Sequence, residues 1–160
     1  MRKIGIIAVL ALMVTALAAV PALAASPHFL RQSATIDNSG NLVVSFKEAG
    51  LGNALETATY TVTGSVTANY GCINRGSKHP EAANKEAVST TFNNSQTFPV
   101  RNGSATGTIT IPVPEATLDC PGNQVETLLD VTYRNVTLTS GASGTQINFG
   151  TVGPKLFLVA

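Results

Sequence analysis

A strict alternation of polar and apolar residues dominates the stretch 56–70. One set of alternate positions is mostly threonine and serine, whereas the other set carries alanine, valine and tyrosine. Side chains of a β-strand point to opposite faces with a period of two. The pattern therefore predicts a long strand with one face toward a core and the other toward water. Gly64, which belongs to the apolar set, is expected to mark a bulge or a bend.

Shorter runs of β-forming residues recur along the rest of the chain, separated by turn residues. The segment 37–41, Asp-Asn-Ser-Gly-Asn, predicts a tight turn, because these residues tolerate positive φ angles and make side-chain turns. Asn135 falls within the strand predicted over 125–138, and we expect it to shift the register of that strand. The remaining predicted strands cover 33–36, 42–46, 87–92, 97–100, 105–111, 146–149 and 156–159.

Many strands with short, turn-rich links and few helix signals are typical of an all-β domain. We expect an antiparallel two-sheet sandwich of immunoglobulin-like type, with a closed β-barrel as the alternative. The sequence has no internal repeat at a fixed period and no linker after residue 24. One domain is therefore predicted over residues 25–160.

The first 24 residues do not follow the strand pattern. A positively charged start precedes an almost unbroken apolar run over 4–20, and Ala-Leu-Ala follows at 22–24. These features define a secretory signal peptide, so we predict that residues 1–24 are removed before Ala25. A transmembrane anchor is the alternative, but the run is only marginally long enough to cross a bilayer. The mature protein is expected to be secreted from a bacterial cell, with no membrane span.

Removal of the signal changes the charge of the chain. The whole chain has ten basic and nine acidic residues. Arg2 and Lys3 leave with the signal, so eight basic residues remain against nine acidic ones, a formal charge of −1. This balance does not favour a nucleic acid or an anionic membrane as a partner.

Cys72 and Cys120 are the only cysteines in the chain. In an exported protein an isolated pair most often forms a disulfide. A zinc site needs about four ligands, and the chain has only two histidines, so we predict the disulfide and neither a metal nor a cofactor. Cys72 follows a long predicted strand and Cys120 lies in a proline-punctuated loop. The bridge is therefore expected to hold loops at the rim rather than to cross the core.

A charged connection over 72–86 is the segment richest in candidate chemistry. His79 and Glu81 suggest a general acid–base pair, but no nucleophile, orienting group or oxyanion donor accompanies them. We expect a binding loop held in place by the disulfide, with an ordinary solvated connection as the alternative. The candidate interaction residues here are Asn74, Arg75, Lys78, His79, Glu81, Asn84 and Lys85.

Two motifs resemble a group of small secreted bacterial proteins, seen especially in actinobacteria. The first is Val-Ser-Phe-Lys-Glu-Ala-Gly-Leu-Gly-Asn at 44–53; the second is Cys-Ile-Asn at 72–74, followed by Pro80 and by Ala-Ala-Asn-Lys-Glu at 82–86. The strand 131–136 also resembles the pattern of the group. No activity is established for it, so the resemblance implies no functional residues. It implies that the two motif loops share one surface, which adds Lys47, Glu48 and Asn53 to the candidate interaction residues.

These expectations favour a non-enzymatic module that binds a protein or a glycan at the cell exterior. A small secreted hydrolase or hydrolase inhibitor that uses the 72–86 loop is one alternative. A structural protein of the envelope or matrix is another. A cleft that joins His79 to a carboxylate would favour the hydrolase, a protruding loop the binding module, and self-association without a ligand the structural protein.

Overall fold

The computed structural model describes residues 26–74 and 84–157. The predicted all-β, antiparallel fold class is confirmed for these residues. Within them, no helix is long and apolar enough to cross a membrane. The predicted signal peptide, residues 1–24, lies outside the described residues. The strands are β1 (His28–Ile36), β2 (Leu42–Ala49), β3 (Thr57–Asn74), β4 (Lys85–Arg101), β5 (Ser104–Ile111), β6 (Gln124–Ser140) and β7 (Gln146–Leu156).

The strands are hydrogen-bonded in the order β1-β2-β5-β4-β3-β6-β7 and form one antiparallel sheet. The sheet curls until its two end strands, β1 and β7, contact each other, so it is nearly closed and barrel-like. Lys155 of β7 donates a hydrogen bond to the backbone carbonyl of Ile36 in β1 at 3.2 Å. The core lies between the β1-β2-β5 part of the sheet and the β3-β6 part.

The alternation over 56–70 corresponds to the two faces of β3, one toward the core and one toward water. Its apolar set, which includes Tyr60, Val62 and Val66, is buried, whereas its threonines are on the outer face. Hydroxyl pairs on that outer face join β3 to β4. They are Thr59–Thr97 at 2.8 Å, Thr61–Ser95 at 2.8 Å and Thr67–Ser89 at 3.0 Å.

Asn135 shifts the register of β6, as the sequence predicts. It has a φ of 53°, and the pairing of β3 with β6 is interrupted between Thr63 and Ser65. Tyr133 and Val136 are both fully buried although they are three positions apart. An extra residue between them is therefore needed to return the chain to the core face, which is what a β-bulge provides.

The turn predicted at 37–41 joins β1 to β2. The Asp37 carboxylate accepts hydrogen bonds from the backbone N–H of Ser39 at 2.8 Å and of Asn41 at 2.9 Å. Desolvation acts to raise the pKa of Asp37, but the hydrogen bonds from Asn41 and Ser39 outweigh it and lower that pKa. Gly40 in this turn has a φ of 91°, which a residue without Cβ adopts readily.

Two strands of the structure, β4 and β7, are longer than the predicted ones. The predictions over 87–92 and 97–100 merge into β4, because the polar residues 93–96 between them extend the strand while both of its faces meet water. The prediction over 146–149 is extended to Leu156 as β7, whose pairing with β6 carries three register shifts. The predicted strand over 156–159 overlaps β7 only at Leu156; Phe157 lies outside the strand, and residues 158–160 lie outside the described part of the chain.

The predicted disulfide joins Cys72 to Cys120, with 5.5 Å between the two Cα atoms. Cys72 is fully buried near the end of β3, and Cys120 lies in the connection 112–123 between β5 and β6. Tyr70 supports the same connection, because its hydroxyl donates to the backbone carbonyl of Pro114 at 2.6 Å. The bridge thus holds a loop at one end of the sheet, as predicted.

Candidate functional site

The described residues of the two motifs lie at opposite ends of the sheet, so they do not form the single surface that the sequence predicts. Lys47 is paired with Thr106 of β5, close to the β4–β5 turn. Lys85 begins β4 at the other end of the strand. β4 pairs with β3 without interruption from Lys85 to Pro99, and at about 3.3 Å per residue this span covers about 45 Å.

The candidate residues of the 72–86 connection are only partly described. Asn74 and Lys85 are exposed at the ends of β3 and β4. Asn84 accepts a backbone hydrogen bond from Cys72 at 3.0 Å, and its side-chain amide donates to Gln124 at 3.4 Å. The role of the other four residues stays a prediction, because they lie outside the described residues: Arg75, Lys78, His79 and Glu81.

Glu48 lies in the core rather than on an interaction surface. Its side chain is fully buried. One carboxylate oxygen, Oε2, accepts a hydrogen bond from the Tyr60 hydroxyl at 2.6 Å, and the other, Oε1, accepts one from the Ser143 hydroxyl at 2.6 Å. Burial and the hydrogen bond to Glu48 raise the pKa of Tyr60. A buried carboxylate needs such partners, so Glu48 serves to fasten β2 to β3 and to the β6–β7 turn.

Lys47, by contrast, lies in an open groove on the outer face of β1, β2 and β5. Cross-strand pairing places Arg31 opposite Lys47, and Lys47 opposite Thr106, in one row of side chains. The groove beside this row has a volume of about 420 Å³. A second row borders the groove with hydroxyl groups, those of Ser33, Ser45 and Thr108.

A second groove, of about 300 Å³, begins on the other side of the Lys47–Thr106 row. Arg101, Pro99 and Ser104 complete its lining. Because Lys47 and Thr106 line both grooves, the three cations Arg31, Lys47 and Arg101 border one continuous surface. All three are exposed, and no carboxylate is among the described residues that line either groove. We call this surface the cationic groove.

The carboxylates near the cationic groove do not neutralise it. Glu48, the neighbour of Lys47 in sequence, points into the core. Glu56 precedes β3 at this end of the sheet but does not line the groove. Most described acidic residues lie instead around the far end of β4 and the β5–β6 connection, so the positive charge is local although the net charge is small. They are Glu86, Glu115, Asp119, Glu126 and Asp130.

Two of the three cations, Arg31 and Arg101, were not among the candidates from the sequence. Alternation alone identifies outward-facing positions on each strand. It does not show that β2 pairs with β5, and that pairing brings Lys47 to Thr106 and so to Arg101. Asn53, the remaining candidate, is exposed in the loop after β2, where its side chain approaches Gly103. It does not line the cationic groove.

The chain matches no protein-family model, no curated protein and no solved structure. The resemblance to small secreted actinobacterial proteins therefore stays a prediction. The chemistry of the cationic groove is the remaining guide to function.

Proposed function

We propose that this chain is an exported, non-enzymatic binding module whose cationic groove holds an anionic ligand, an acidic glycan, at the cell exterior. The observation behind the proposal is the set of three exposed cations, Arg31, Lys47 and Arg101, along one surface whose described lining has no carboxylate. Guanidinium groups bind carboxylates through two parallel hydrogen bonds, and a lysine adds a mobile point charge.

The shape of the groove favours a chain of anionic groups over a single small anion. The cations are distributed over β1, β2 and the end of β4, and strands about 4.8 Å apart give this surface a width of about 15 Å. Its two parts, of about 420 and 300 Å³, are comparable in size to ordinary ligand sites. Hydroxyls along one border, with Ser45 and Thr108 already 2.9 Å apart, offer partners for sugar hydroxyls.

Two features support the exported location in this proposal. Residues 1–24 have the charged start, apolar run and small-residue site of a secretory signal. The Cys72–Cys120 disulfide is compatible with an oxidising, extracellular compartment. The hydrolase or inhibitor hypothesis depends on residues 75–81 and stays a prediction.

Isothermal titration of the purified, disulfide-bonded chain with three polymers tests the ligand class. We expect polygalacturonate to bind with an affinity that falls as salt is added, because exposed charges are screened. Dextran, a neutral glucan, should not bind. Equal affinity for polyglutamate and polygalacturonate would contradict the choice of a glycan and would indicate an acidic protein as the ligand. No binding of either polyanion would contradict the proposal.

A matched pair of double variants tests the location of the site. Arg31→Gln with Lys47→Gln removes two positive charges from the cationic groove. Lys85→Gln with Arg134→Gln removes two exposed charges elsewhere. Exposed charge contacts contribute about 1 kcal/mol each, so the first variant should bind polygalacturonate about thirtyfold more weakly. Similar losses in both variants would indicate a response to net charge and would reject the groove.

A further inference from the structure

Among the described residues, β4 has a long edge that no other strand covers. It pairs with β3 continuously from Lys85 to Pro99, but it is hydrogen-bonded to β5 only at Val100 and Arg101. Other described parts of the chain make no backbone hydrogen bond to residues 86–98. Every second residue of an antiparallel strand directs its N–H and C=O groups away from its neighbour. Those groups are therefore available along this edge for another strand.

The edge is also accessible from both faces of the sheet. Residues 93–97 are all exposed, although adjacent residues in a strand point to opposite faces. Val88, Phe92 and Phe98 on the inner face are only partly buried. Although Val88, Phe92 and Phe98 pack against the core, the described chain covers neither the outer face nor the edge of β4 over residues 93–97.

The other free edges have the features that normally prevent strand addition, and β4 does not. Charge, proline, bulges and short length protect edge strands in native proteins. β1 has a bulge at Leu30, β7 contains Pro154 and three register shifts, and β5 is short, with the Phe98 ring over Gly107. The segment 87–98 of β4 reads Ala-Val-Ser-Thr-Thr-Phe-Asn-Asn-Ser-Gln-Thr-Phe. It contains no charge, proline, glycine or bulge.

We propose that this edge is a self-association site, through which two copies of the chain pair antiparallel along β4 and join their sheets. With a two-fold axis at Asn93, each residue of the segment lies opposite a residue of the partner's β4. The two side chains of each such pair point to the same face of the joined sheet. Thr91 of one copy then lies opposite Ser95 of the other, which repeats the hydroxyl pairs that β4 already makes with β3. Val88 lies opposite Phe98, so an apolar pair forms at each end.

A second copy is the occupant that the edge favours. An uncharged strand offers no charge by which a different protein could be selected, and within 87–98 two copies meet without like-charge repulsion. The segment is long enough for about twelve backbone hydrogen bonds across the seam. None of its residues lines the cationic groove, so this inference does not depend on the proposed function.

Sedimentation velocity of the disulfide-bonded chain, from micromolar to near-millimolar concentration, tests the proposal. We expect a monomer–dimer equilibrium that needs no ligand. Thr91→Lys with Ser95→Lys places lysines opposite each other across the seam and should weaken dimerisation by about tenfold or more. The control, Thr35→Lys with Thr110→Lys, adds the same charge to exposed positions of β1 and β5 and should dimerise like the parent chain.

Thermal melts of both double variants establish that each is folded. A parent chain that stays monomeric throughout, or equal weakening in both variants, would overturn the proposal. A cysteine cross-link gives a second readout: the Asn93→Cys variant should form a covalent dimer under mild oxidation, because the two-fold axis passes through this position. The Thr110→Cys variant should not. If Thr110→Cys formed the covalent dimer and Asn93→Cys did not, the contact between the copies would not lie along β4.

Discussion

Tyr60→Phe removes one of the two hydrogen bonds that hold the buried carboxylate of Glu48. The Tyr60 hydroxyl donates to Oε2 at 2.6 Å, and both side chains are fully buried. Aromatic rings surround the site, with the Phe46 ring centroid 4.1 Å and the Phe98 centroid 6.0 Å from that of Tyr60. These rings pack against the Tyr60 ring, so its phenol lies in a largely apolar environment. The variant therefore has a buried acceptor oxygen without a partner.

The cost follows from the charge on the acceptor. Hydrogen bonds to charged groups contribute about 1.5–3 kcal/mol, whereas those between neutral groups contribute about 1 kcal/mol. We therefore expect Tyr60→Phe to lower the free energy of unfolding by about 3 kcal/mol. Tyr133→Phe is the matched control, because it removes an equally buried hydroxyl that donates to a neutral acceptor, the backbone carbonyl of Gly40, at 2.8 Å. It should cost about 1 kcal/mol.

Guanidinium chloride titration followed by far-ultraviolet circular dichroism measures both losses. The chain has no tryptophan, so its fluorescence is a poor probe. The slopes of the two variants should match that of the parent chain, which shows that only stability has changed. Equal losses near 1 kcal/mol for Tyr60→Phe and Tyr133→Phe would refute the reasoning, since Glu48 would then behave as a neutral acceptor.

Three further predictions concern the bridge, the tyrosines and the core. Replacing Cys72 and Cys120 by serine should cost about 4 kcal/mol in a denaturant titration, because the bridge spans a sequence separation of 48; a loss below about 1 kcal/mol would contradict this. Burial raises the pKa of Tyr133 to about 12, so the neutral phenol is the form that the fold favours. Stability should be complete below about pH 10 and should fall toward about pH 12, with a shallower fall in Tyr133→Phe; a flat parent profile in urea titrations would reject this. Gly107→Ala should cost about 1–3 kcal/mol, because the new Cβ would lie 2.5 Å from the Phe98 ring, and a neutral effect in a thermal melt would show that the ring moves freely.

Local patterns explain the parts of the fold that the sequence predicted. The alternation around Tyr60 and the interruption at Asn135 each reflect which face of one strand meets the core. The polar run 93–96 was missed for the same reason, because a strand exposed on both faces has no apolar set. Alternation reports burial, and it detects a strand only where burial differs between the two faces.

The candidate site depended on pairing between distant residues, which alternation does not contain. Glu48 shares its face of β2 with Val44 and Phe46, and this parity was a usable signal for burial. Because glutamate is rarely buried, the position of Glu48 on that face did not lead to its assignment to the core. One of the two partners that stabilise it, Ser143, is 95 positions away. Lys47 is exposed, but the β1–β2 register brings Arg31 beside it, and the β2–β5 and β4–β5 registers bring Arg101.

The order of the strands also determines when the chain can fold. β2 must wait for β5, since Leu42 pairs with Ile111, and β3 must wait for β6, since Tyr60 pairs with Ser140. Only hairpins such as β1–β2 can form earlier. Contacts this distant in sequence slow folding to milliseconds or longer, because loop closure must precede them. The chain is therefore expected to stay unfolded until most of it has left the ribosome, which is compatible with the proposed export, because a narrow translocation channel passes only an unfolded chain.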